Sequence, residues 1–129
     1  MTSSRTPSRK TILVVDDSKT MRDDIRAALE AEGYAVEEAG DGEEALERIK
    51  GNAHLAMVLC DIKMPLFTGL ELLDALRAEG RTATLPVVML TTESELQLIA
   101  RAKEAGARGW LVKPVEKRHL VSVVRKVAG

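Results

Sequence analysis

Three short apolar runs constrain this chain more than any other feature: Ile12-Leu13-Val14-Val15, Ala56-Met57-Val58-Leu59-Cys60 and Val87-Val88-Met89-Leu90. None alternates with polar residues. A strand with one wet face reads apolar–polar in period two, whereas an unbroken apolar strand is covered on both faces. Sheets of that kind are parallel, and helices supply the cover. Ala35–Ala39 and Gly109–Val112 are two weaker strand candidates.

Segments with helical period lie between these runs. Met21, Ile25, Ala28 and Leu29 form one stripe; Ala45, Leu46 and Ile49 a second; Leu72, Leu73 and Leu76 a third. Leu96, Ile99 and Ala100 precede Gly106, and Leu120, Val123, Val124 and Val127 follow the i, i+3, i+4, i+7 spacing of one helix face. Ser18 and Asp41 suit N-caps, and Gly33, Gly80 and Gly106 suit helix ends. Five strand–helix repeats predict a doubly wound α/β fold with a five-stranded parallel sheet and five helices.

The chain of 129 residues has room for one such domain and no second. Residues 1–10 are polar and basic, and we expect a disordered leader there, with the folded domain over 11–129. The leader lacks the apolar core of a signal peptide, and no apolar run approaches the ~20 residues of a membrane span. A cytoplasmic location is therefore expected. A net charge of −1 and a single Trp, Tyr and Phe argue against a nucleic-acid surface. The lone Cys60 forms no intramolecular disulfide and has no metal-ligand spacing around it.

The residues after each run carry the chemistry. The first strand ends in Asp16-Asp17, the third in Asp61, the fourth in Thr91-Thr92 and the fifth in Lys113-Pro114. A parallel sheet gathers these ends on one edge, where open α/β sheets bind their ligands. Three close carboxylates repel one another unless a hard cation balances them, and Mg²⁺ suits one or two carboxylates plus phosphate oxygens. A carboxylate can also act as a nucleophile that forms an aspartyl phosphate. Lys113 offers the cation, and Thr91 the hydrogen-bond donor, that a transferring phosphoryl group needs.

Val14-Val15-Asp16-Asp17-Ser18, Asp61-Ile62-Lys63-Met64-Pro65, Leu90-Thr91-Thr92 and Val112-Lys113-Pro114 together resemble the signature segments of response-regulator receiver domains. The resemblance runs in order from about Thr11 to Val127. It implies the flavodoxin-like, CheY-like sheet with strand order 2-1-3-4-5. It implies that Asp61 is the phosphoacceptor and that Asp17, Asp61 and the Lys63 backbone carbonyl ligate Mg²⁺, with Asp16 acting largely through water. Thr91 would follow the phosphate, Lys113 would pair with it, and Trp110 would hold the family's aromatic switch position, where Tyr or Phe is commoner. The implied partners are a histidine kinase as phosphodonor and a target protein bound through the face formed by the fourth helix, fifth strand and fifth helix. The unphosphorylated chain would be a monomer that promotes its own phosphorylation and dephosphorylation, not an enzyme. With no output domain expected after Val127, it would act by binding other proteins. Val15 to Arg22 and Ala105 to Pro114 are also similar to chemotaxis-type regulators.

The chain departs from the family pattern at Thr68, where Asp often precedes the glycine, and at Val115, where Phe is common. Lys63 and Glu93, two residues after Asp61 and Thr91, are variable positions that border the phosphate and bear on its lifetime. Each site residue also has a plain structural reading. Asp16 and Asp17 could open a turn and help cap a helix, Thr91 could end a strand, Lys113 could be a surface cation, and Trp110 could be core. Cys60 reads as a small core residue, and His54 and His119 as solvated.

Rival functions share parts of the pattern. A flavodoxin-type flavin module needs a Ser/Thr/Gly phosphate loop after the first strand, where this chain has acids. A phosphatase of haloacid-dehalogenase type spaces two Asp by two residues there, and here they are adjacent. A third reading keeps the receiver fold but makes it a phosphorelay shuttle or a regulator outside motility.

Overall fold

The computed structural model describes residues 9–64 and 67–129. The strands are β1 (Thr11–Val15), β2 (Ala35–Ala39), β3 (Leu55–Asp61), β4 (Val87–Thr91) and β5 (Gly109–Val112). The helices are α1 (Lys19–Glu30), α2 (Gly42–Gly51), α3 (Gly69–Ala78), α4 (Ile99–Glu104) and α5 (Lys117–Ala128). All four strand pairings are parallel, and the order across the sheet is β2-β1-β3-β4-β5.

The unbroken apolar runs are explained by two cores, one on each face. Along β1, Leu13 and Val15 point into a cluster with Ala45 and Ile49 of α2, Leu72, Leu73 and Leu76 of α3, and Ile99 and Ala102 of α4. Ile12 and Val14 point the other way, into a cluster with Ile25, Ala28 and Leu29 of α1 and Leu120 and Val124 of α5. Leu13, Leu59, Leu73 and Leu90 are fully buried, and burial of such a side chain contributes about 1.5–3 kcal/mol relative to exposure. This apolar scaffold is what can hold a polar, self-repelling site at its edge.

The starts of α1 and α2 follow the caps legible in the sequence. Ser18 Oγ accepts from Met21 N at 3.2 Å, and Asp41 Oδ1 accepts from Glu44 N at 2.8 Å. Thr68 caps α3 through a reciprocal box with Glu71, at 3.2 and 2.9 Å. Gly33, Gly80 and Gly106 all take positive φ after helical segments, a conformation that costs glycine little.

The fourth helical segment differs from expectation. Glu93–Leu98 forms a 3₁₀ turn, and the α-helix begins only at Ile99. Leu96 is 41% exposed and Ala100 is exposed, so the expected stripe of Leu96, Ile99 and Ala100 is replaced by Ile99 and Ala102. Thr92 N donates to Glu95 Oε1 at 3.1 Å at the start of this turn, and the three-residue repeat of the 3₁₀ segment carries Leu96 off the core side.

Of the expected leader, residues 1–8 lie outside the described residues, as does Pro65 of the turn after Asp61. Lys10 joins the fold: its carbonyl accepts from Ala35 N at 3.0 Å, and its ammonium donates to the Ala128 carbonyl at 2.6 Å. Among the described residues, no helix is long and apolar enough to cross a membrane.

Candidate functional site

The order of the strands reverses direction at β1, which has β2 on one side and β3 on the other. The crevice beyond the carboxyl ends of β1 and β3 is therefore the expected ligand position. Asp16 and Asp17 follow β1 directly, Asp61 is the last residue of β3, Thr91 the last of β4, and Lys113 follows β5. The structure brings oxygens of Asp16, Asp17 and Asp61 within 4.8 Å of one another. Asp16 and Asp61 are buried and Asp17 is exposed.

Lys113 ties the cluster together. Its ammonium donates to Asp16 Oδ2 at 2.8 Å and to Asp61 Oδ2 at 3.1 Å. Its own N–H donates to the Thr91 carbonyl at 2.7 Å, which fixes the backbone from which the side chain reaches. The Lys113–Pro114 peptide is cis. Burial alone would lower the Lys113 pKa, but the hydrogen bonds to Asp16 and Asp61 outweigh it and hold the ammonium above its usual value. Burial raises the Asp61 carboxyl above the usual carboxylate range, and the bond from Lys113 only partly offsets this.

The loops are held by more than the acids. Asp16 Oδ1 accepts from Ser18 N at 2.9 Å, and the Asp16 N–H donates to the Ala39 carbonyl at 3.1 Å. Arg22 reaches back from α1 to donate to the Asp16 carbonyl at 2.7 Å, while its Nε donates to Glu38 Oε1 at 2.9 Å. Asp61 Oδ1 accepts from Lys63 N at 3.3 Å. A Cβ on Gly69 would stand 2.1 Å from the Asp61 carbonyl oxygen, so only glycine lets α3 begin this close to the acid. Sequence reading gave no role to Arg22 or Gly69. The signal for Arg22 was its place one turn into the helix after the acids; for Gly69 it was the glycine directly after a cap.

Thr91 is fully buried, and its hydroxyl donates to the Thr92 carbonyl at 3.2 Å. Trp110, paired with Met89 on the edge strand β5, is 39% exposed rather than core. Lys103 of α4 places its ammonium 4.5 Å from the centre of the indole ring. Lys63 and Glu93 are exposed, Cys60 is buried with its thiol pKa pushed up by burial, and His54 and His119 are exposed.

Three carboxylates facing one ammonium leave an excess of negative charge, which a hard cation can balance. The donors are all carboxylate oxygens gathered at one point, the ligand type that Mg²⁺ takes, so these residues fit Mg²⁺.

Residues 12–125 match the family model of the response regulator receiver domain. The chain is 38% identical over 119 residues to the chemotaxis protein CheY1 of Helicobacter pylori, covering 92% of this chain and 96% of that one. The structure of the chemotaxis protein CheY4 of Vibrio cholerae superposes with a TM-score of 0.85 at 35% identity, covering 93% of this chain and 99% of that one. The receiver domain of NtrX from Brucella abortus superposes with a TM-score of 0.83 at 30% identity, covering 91% and 97%. With its sheet order, its acidic crevice and these likenesses in accord, the chain belongs to the response regulator receiver domain family.

Proposed function

We propose that this protein is a stand-alone response regulator of a two-component pathway, phosphorylated on Asp61 and serving chemotaxis-type motility signalling. The observation that carries the reading is the Lys113 ammonium bonded to both Asp16 and Asp61, with Asp17 in reach of the same point. Such a site is built to gather negative charge around one nucleophilic carboxylate.

Asp17, Asp61 and the Lys63 carbonyl would hold Mg²⁺ directly, with Asp16 acting largely through water. When bound, the ion neutralises charge on phosphoryl oxygens. An Asp61 oxygen attacks phosphorus, a P–O bond forms, and the bond from phosphorus to the imidazole nitrogen of the kinase histidine breaks. The bonding pair stays on that nitrogen, and the ring, carrying a proton on its other nitrogen, leaves as neutral imidazole. Lys113 moves its bond from the Asp61 carboxylate to a phosphoryl oxygen, a charge-assisted contact. Thr91, now bonded to its neighbour's carbonyl, turns its hydroxyl to another phosphoryl oxygen. Phosphorylation adds roughly −1.5 to −2 charges and three acceptors, and Thr91 and Trp110 carry that change to the α4–β5–α5 face where a target protein binds. The domain thus promotes its own phosphorylation and later hydrolysis rather than turning over an external substrate. The receiver domain is taken as residues 11–129, with Lys10 bonded to its edge, and its setting is the cytoplasm.

Exposure to acetyl phosphate and Mg²⁺, followed by intact-mass measurement, tests the reading. One alkali-labile phosphoryl group per chain is expected. Multiple turnover of a general phosphate ester without a phosphorylated intermediate would contradict it.

A further inference from the structure

We propose that Lys103 is a positioning residue for Trp110: its ammonium holds the indole at the surface and sets the resting bias of the switch, an inference that rests on the receiver function proposed above. Lys103 lies in the last turn of α4, exposed, with Nζ 4.5 Å from the ring centre. A cation within ~6 Å of an aromatic face is attracted by the ring quadrupole. The ring is 39% exposed on the edge strand β5, so the contact forms without desolvating the ammonium.

That exposure makes the contact specific to one arrangement. If the ring turned inward toward Thr91, Lys103 would either be left behind or be drawn out of water, and an unpaired cation is costly to bury. At the other end of the path, the Thr91 hydroxyl is occupied by the Thr92 carbonyl at 3.2 Å. Thr91 and Trp110 are thus both tied in the resting state, one by its own backbone and the other by α4. The strength of an exposed cation–π contact corresponds to about a two- to fivefold bias in population. A ligand that needs the disfavoured state binds more weakly by the population of that state, so releasing the ring should tighten it by about the same factor.

The test is a titration with beryllofluoride at saturating Mg²⁺, followed both by Trp110 emission, the only Trp signal in the chain, and by the fluorine resonances of bound beryllofluoride. In Lys103→Met the half-saturating concentration should fall about two- to fivefold, and the resting emission should shift part way toward the loaded spectrum. Lys103→Arg, which keeps the cation, should titrate as the parent does. Unchanged half-saturation and resting emission in Lys103→Met, with beryllofluoride bound, would overturn the role of Lys103 alone. Absence of a bound fluorine signal in the parent protein would overturn the acceptor reading, and the latch with it.

Discussion

Lys113 Nζ lies 3.1 Å from Asp61 Oδ2, a pairing between the ends of β5 and β3 with β4 between them. The lysine spans a whole strand to reach the acid. Lys113→Ala would leave both Asp16 and Asp61 without their cation. An unsatisfied buried group costs about 1–3 kcal/mol, so the variant should unfold at lower denaturant in metal-free buffer. Mg²⁺ should recover more stability in the variant than in the parent, because a competing cation is gone. Calorimetry showing Mg²⁺ affinity abolished by Lys113→Ala would contradict this account of the crevice.

Mg²⁺ should raise the melting temperature of the unmodified protein, since an ion that binds only the folded state stabilises it by mass action. Asp17 is the exposed member of the acid cluster, and its loss leaves packing intact. Asp17→Asn should therefore keep the metal-free melting temperature, or raise it slightly through relief of repulsion, and lose most of the Mg²⁺ response. A full response in Asp17→Asn would place the ion elsewhere.

Gly69 and Gly42 make a paired test of what positions the acceptor loop. A Cβ on Gly69 would meet the Asp61 carbonyl at 2.1 Å, and one on Gly42 would meet Cδ1 of the Phe67 ring at 2.0 Å. A ring can swing aside; a strand-end carbonyl cannot move without moving Asp61. Forced overpacking costs about 1–3 kcal/mol. Gly69→Ala should reach that range and also slow phosphorylation by acetyl phosphate. Gly42→Ala should cost less and leave the phosphorylation rate near that of the parent. The reverse order in both measurements would contradict the geometry.

Glu38 sets an acid limit on stability. The hydrogen bond from Arg26 holds its carboxyl below the usual range, burial opposes this, and Arg22 adds to the lowering. A carboxyl lowered in the folded state stabilises it above the unfolded pKa, about 4.3 for Glu, and loses that contribution as pH falls through the folded value. Glu38→Gln should be less stable than the parent by about 1 kcal/mol or less at neutral pH. The two should converge in acid, below about pH 4.3. A gap that persists unchanged into acid would mean that the pair acts by packing and not by charge.

Much of this was legible in the chain because the signals were local. Unbroken runs such as Ile12 to Val15 specify a covered strand without any knowledge of the partner. Because the strands are parallel, Asp16, Asp61, Thr91 and Lys113 had to meet at one edge. What the sequence hid depends on tertiary geometry. The tight turn at Glu93–Leu98 turned Leu96 outward although its apolar spacing suited a core helix. Arg22 bonds a carbonyl six positions back, and a backbone acceptor leaves no trace in residue types. Lys103 and Trp110 meet across the turn between α4 and β5, so helical periodicity does not report their contact.

In the proposed function Asp61, and neither of its acidic neighbours, takes the phosphoryl group. Borohydride reduction of the protein after treatment with acetyl phosphate and Mg²⁺ marks the acyl phosphate, and peptide mass mapping locates it. The mark is expected at Asp61 alone, and Asp61→Asn should accept no phosphoryl group on the same timescale. A mark at Asp16 or Asp17 in the parent, or wild-type labelling of Asp61→Asn, would contradict the account.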